Sequence, residues 1–70
     1  MMPLNLASVG EDNIIRKVGG NSEVRQHLET LGFVVGARVQ VVAQTGGNLI
    51  VNVKESRVAV SREMAQKIMI

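Results

Sequence analysis

The sequence predicts a mainly-β fold: a small antiparallel barrel of about five short strands, with one α-helix inserted at about residues 22–31. Three observations predict it. Short runs rich in Val, Ile and Leu recur along the chain and alternate with polar positions, the period of half-buried strands. Gly-Gly and Lys-Glu-Ser punctuate those runs where hairpin turns belong. One stretch alone, beginning near Ser22, carries its apolar residues at helical spacing. With 70 residues the chain makes a single domain, residues 1–70. A closed barrel suits so short a chain because closure removes exposed strand edges.

Taken in order, the chain opens with Pro3, which lacks an N–H and suits an edge. Leu4 and Leu6 flank Asn5 and fit a very short strand, and Gly10–Asn13 is rich in turn formers. Asn13–Val18 (NIIRKV) is the first strand, with Ile14, Arg16 and Val18 on one face and Ile15 and Lys17 on the other. Its alternation is not clean, as in a strand that bends around a small barrel. Gly19-Gly20 breaks it. Asn21 or Ser22 can cap the helix, and Glu23 complements the helix dipole in the first turn. The helix runs to about Leu31. Val24, Leu28 and Leu31 form its apolar stripe, while Arg25, Gln26 and Glu29 face outward. Gly32 supplies a left-handed cap.

Gly36-Ala37 leads into the strand Arg38–Gln44, where Val39, Val41 and Ala43 share a face. Thr45-Gly46-Gly47-Asn48 is a hairpin turn, and Leu49, Val51 and Val53 line one face of the return strand. Lys54-Glu55-Ser56 is a second turn before Arg57–Val60, whose Val58 and Val60 face inward. Ser61 caps a single helical turn, Arg62–Ala65. Gln66–Ile70 is short and apolar enough to close the barrel.

Composition excludes much. There is no cysteine, so no disulfide or thiolate metal site. The net charge of +2 comes from scattered residues, without the Lys/Arg run of a nucleic-acid or membrane patch. The first ten residues lack the basic segment and apolar run of a signal peptide, and no apolar run approaches the length of a membrane span. These features lead us to expect a soluble, cytoplasmic protein. Phe33 is the only aromatic residue. One ring cannot build the stacking platform of a single-strand nucleic-acid binder or the aromatic groove that reads proline-rich peptides.

Catalytic constellations are missing as well. His27 is the only histidine and has no nucleophile and orienting acid at a recognisable spacing. Glu23 and His27 stand at i, i+4, a spacing that could hold two ligands of a metal, but a zinc site needs at least three. Met64 and Met69 read as core filler. Neither Gly-Gly pair matches a phosphate-binding loop. We therefore assign no catalytic, cofactor-binding or metal residue. Contact with another protein remains, and the apolar run Phe33-Val34-Val35 between two elements is its best candidate.

The ordered set of features resembles the FeoA family, small cytosolic proteins of bacterial ferrous iron uptake. It comprises the LNLASVG lead, the strand ending at Gly19-Gly20, and the helix ending in Leu31-Gly32-Phe33. It continues with Gly36 before the Val39/Val41 strand, Gly46-Gly47-Asn48 before the return strand, and RVAVSREMA. Val34-Val35 departs from the Thr-Pro-like pair often found before that glycine. The resemblance implies an SH3-like barrel with an inserted helix and no enzymatic activity or essential cofactor. It also implies a partner, the cytosolic domain of the ferrous iron transporter FeoB, with the membrane reached only through that transporter. The same fold closes iron-dependent repressors, so the alternative is a small basic barrel that binds nucleic acid or acts in metal-dependent regulation. No nucleic-acid partner is expected. The expected partner surface is Arg25, Gln26, Glu29, Phe33, Val34 and Val35.

Overall fold

The computed structural model describes all residues, 1–70. Six strands and two helices follow one another as β1 (Asp12–Ile14), β2 (Lys17–Val18), α1 (Ser22–Thr30), β3 (Arg38–Thr45), β4 (Asn48–Val53), β5 (Ser56–Ser61), α2 (Arg62–Ala65) and β6 (Ile68–Met69). A four-stranded antiparallel sheet has the order β1-β3-β4-β5, and a two-stranded sheet pairs β2 with β6. The two sheets wrap one hydrophobic core as an SH3-like barrel, with α1 inserted between β2 and β3.

The first strand differs from expectation. Residues 13–18 do not form one strand but two short ones that serve different sheets. Asp12–Ile14 pairs with β3, whereas Lys17–Val18 pairs with β6. The crossing lies between them: the Ile15 N–H donates to Ala37 O at 2.9 Å and the Arg16 N–H to Met69 O at 2.7 Å. Ile15 is buried at this corner while Ile14 is exposed, so the two isoleucines occupy the faces that a bend, not a straight strand, gives them. Leu4–Leu6 also differs. It is a 3-10 turn that buries Leu4, not a strand, and its Ala7 N–H closes on Leu4 O at 3.0 Å.

The meander β3-β4-β5 follows the alternation in the sequence. Val39, Val41, Leu49, Val51, Val53 and Val60 are all buried on its inner face. Val58, expected to face in, is half-buried. A bulge shifts the register between Val41 and Ala43; bulges of this kind add the twist that a small barrel requires. Ala43, expected on the inner face, lies beyond it opposite Ile50 and is half-buried. Ser61 caps α2, its hydroxyl accepting from Met64 N–H at 3.2 Å. The chain ends meet at β6, where Met2 and Ile70 exchange backbone hydrogen bonds of 3.0 and 2.9 Å.

Candidate functional site

The region around α1 is built from its caps inward. Asn21, not Ser22, is the N-cap, its side chain accepting from Val24 N–H at 2.9 Å. This satisfies a donor that the first turn leaves free. Leu28 is fully buried and anchors the helix, with Val24 and Leu31 packed half-buried at its flanks. Burying a leucine contributes about 1.5–3 kcal/mol, so a nine-residue helix of low intrinsic stability is held by this stripe. Arg25, Gln26 and Glu29 are exposed on its outer side, as expected. His27 is exposed too.

Beyond α1 the chain turns sharply. Gly32 has φ of +108°, a backbone state that residues with a Cβ rarely adopt. The reversal lets the Phe33 N–H donate to Leu28 O at 3.0 Å. It also directs the Phe33 ring into the core, where the residue is 0% exposed. Phe33 was expected on the partner surface; the structure removes it. The lone aromatic ring carries more apolar area than any other side chain here, and the glycine reversal points it at the core it fills. Val34 is half-buried, and Val35 is 67% exposed at the tip of the following turn. That turn is fixed by Ala37 N–H to Val34 O at 3.0 Å and Gly36 N–H to Ile15 O at 2.8 Å. Four exposed residues of the expected surface thus remain: Arg25, Gln26, Glu29 and Val35, with Val34 behind them.

A shallow open cleft lies beside this loop, lined by Ile14, Gly36, Arg38, Lys54 and Glu55 among others. Its charges are mixed, and no nucleophile–base pair stands in it. No group of three or more His, Asp or Glu side chains anywhere in the chain could hold a metal ion. Glu23 and His27 therefore remain an exposed pair on one turn of helix, with no third donor beside them.

The structure shortens the expected Lys54-Glu55-Ser56 turn to two residues, because Ser56 already pairs with Val53. Lys54 and Glu55 both have positive φ, 48° and 64°. The Lys54 side chain lies over Gly32, where a Cβ would come 3.6 Å from its Cδ. The hairpin tip is thereby tied to the C-terminal end of α1, the end of a helix dipole that favours a cation.

The family model of the FeoA domain matches residues 2–70. The chain belongs to the FeoA family. A candidate Fe(2+) transport protein A of Methanocaldococcus jannaschii is 33% identical over 70 residues, all of this chain and 85% of that protein. Among solved structures, the FeoA of Stenotrophomonas maltophilia, described as a prokaryotic SH3-domain protein and solved with zinc, superposes with a TM-score of 0.85 at 27% identity. It covers 99% of this chain and 88% of that one. A manganese-dependent transcriptional repressor shares the fold alone, with a TM-score of 0.86 at 17% identity over 94% of this chain and 38% of that one. No helix of this FeoA-family chain is long and apolar enough to cross a membrane.

Proposed function

We propose that this chain is a non-enzymatic accessory protein of ferrous iron uptake, working in the cytoplasm by docking on the cytosolic domain of the transporter FeoB. The observation that carries this reading is family membership across residues 2–70. Lack of a clustered donor set fits a protein that acts by contact and not by holding the iron itself. The docking face in this reading is the outer side of α1 with the loop tip beyond it: Arg25, Gln26 and Glu29 exposed, and Val35 projecting as the apolar anchor.

The test is a titration of the isolated cytosolic domain of FeoB with this protein, with and without guanine nucleotide. We expect saturable binding, weakened at least tenfold by Val35→Asp while the fold stays intact. No binding under either nucleotide condition overturns the reading.

A further inference from the structure

Strand edges are exposed backbone, and this chain treats its edges unequally. The N-terminal segment lies along β6 through a Pro3–Met69 bridge, and proline presents no N–H there. β1 is only three residues long and begins with Asp12. Short length, charge and proline are common ways of blunting an edge. β5 has none of these except a single charge. It runs six residues, Ser56–Ser61, without proline, glycine or bulge, and β4 is its only partner.

The direction of its free groups follows from the register. The Arg62 N–H donates to Gly47 O at 2.8 Å, one step beyond the Asn48–Ser61 pair. Hydrogen-bonded pairs alternate along an antiparallel ladder, so Val60 and Val58 turn their backbone toward β4. Arg57 and Ala59 turn theirs away. Neither has a hydrogen-bond partner outside the β4 ladder, and both are exposed. Such a row of donors and acceptors, open to solvent, is a ready template for another extended backbone.

Side chains narrow the occupant further. β3, β4 and β5 contain no acidic residue, and their charged side chains are Arg38 and Arg57. A polar ladder crosses the outer face and ends at the free edge. The Asn52 amide donates to Gln40 Oε1 at 3.5 Å, and the Arg57 Nε–H donates to Asn52 Oδ1 at 3.3 Å. Only the Nε of the guanidinium is so engaged. Half-buried Val58 flanks Arg57 on the opposite face.

We propose that the free edge of β5 receives an extended peptide segment of the transporter partner, added antiparallel or parallel as one more strand. That segment carries an acidic side chain opposite Arg57 and an apolar one over Val58. The inference rests on the accessory reading above, for it takes its partner from there.

Amide hydrogen exchange of this protein, alone and with the cytosolic domain of FeoB, tests it without mutation. We expect the Arg57 and Ala59 amides to exchange at least tenfold more slowly in the complex. Ala59→Pro, which removes one outward N–H, and Arg57→Glu, which reverses the charge, should each weaken binding at least tenfold. The Arg57→Glu variant keeps the backbone intact should the proline variant misfold. Undiminished binding by Arg57→Glu, with unchanged exchange at both amides, overturns the edge and leaves the accessory reading standing. Absence of any binding by the unmodified protein overturns both. Protection that appears in the protein alone and grows with its concentration assigns the edge to a second copy and overturns the partner proposal.

Discussion

Phe33 shows how one residue can be read two ways from sequence. It follows a helix-capping glycine in an apolar run between two elements, a position that suits an exposed contact as well as a core anchor. The φ of +108° at Gly32 decides between them, and no pattern of hydrophobicity encodes a backbone angle. With Phe33 wholly buried, Phe33→Ala should destabilise the protein by about 3–5 kcal/mol. A domain of 70 residues has a total stability of about 4–10 kcal/mol, so this variant should be largely unfolded or barely folded in a urea titration. Val35→Asp is the contrasting change. Its site is 67% exposed, and surface substitutions usually stay within about 0.5 kcal/mol, so its urea midpoint should barely move. A Val35→Asp protein as unstable as Phe33→Ala would mean that the loop tip packs where the structure leaves it open.

At the scale of elements, most of the fold was legible because local signals agreed with one another. The Ser61 cap, the Gly46-Gly47 hairpin and the alternation of β3 and β4 each point to one structure. Legibility failed where an element is defined by its partners. Residues 13–18 look like one strand because their composition is uniformly β-forming, and only pairing with two different sheets divides them. The β4–β5 turn was legible in its place but not in its geometry, because Lys54 and Glu55 are poor residues for the positive φ that both adopt. A left-handed residue with a Cβ costs about 1–2 kcal/mol. Two pairing hairpin strands and the seat of Lys54 over Gly32 hold the turn in place against that cost. Glu55→Gly relieves the strain without disturbing the lysine. Glycine's greater freedom in the unfolded chain returns about 0.5–1 kcal/mol of the gain. A net stabilisation of about 0.5–1 kcal/mol should remain, visible as a higher urea midpoint with an unchanged slope. A lower midpoint would show that Glu55 makes a stabilising contact that outweighs its backbone.

The molecule as a whole is closed by its ends. β6 is central: Lys17 pairs with Met69 on one side, and Met2 and Pro3 lie along the other. Ile68 is fully buried in the core and Ile70 nearly so. The contacts that complete the barrel therefore join the two extremes of the sequence, and ordering them carries the largest loop-closure cost in the chain. The two ends should not be equally dispensable. Met1 and Met2 are exposed, and removing both forfeits the reciprocal Met2–Ile70 hydrogen bonds at about 0.5–1.5 kcal/mol each. That truncated protein should remain folded, with a lower midpoint. Deleting residues 68–70 removes the strand that both β2 and the N-terminal segment pair with, together with two core isoleucines. Each buried isoleucine contributes about 1.5–3 kcal/mol, and the Arg16 and Met2 N–H groups lose their acceptors on Met69 and Ile70. The summed loss matches the whole stability of so small a domain. The shortened chain should give a collapsed amide spectrum and no cooperative thermal transition. A cooperative transition in its absence would show that the four-stranded sheet and α1 fold independently of the clasp.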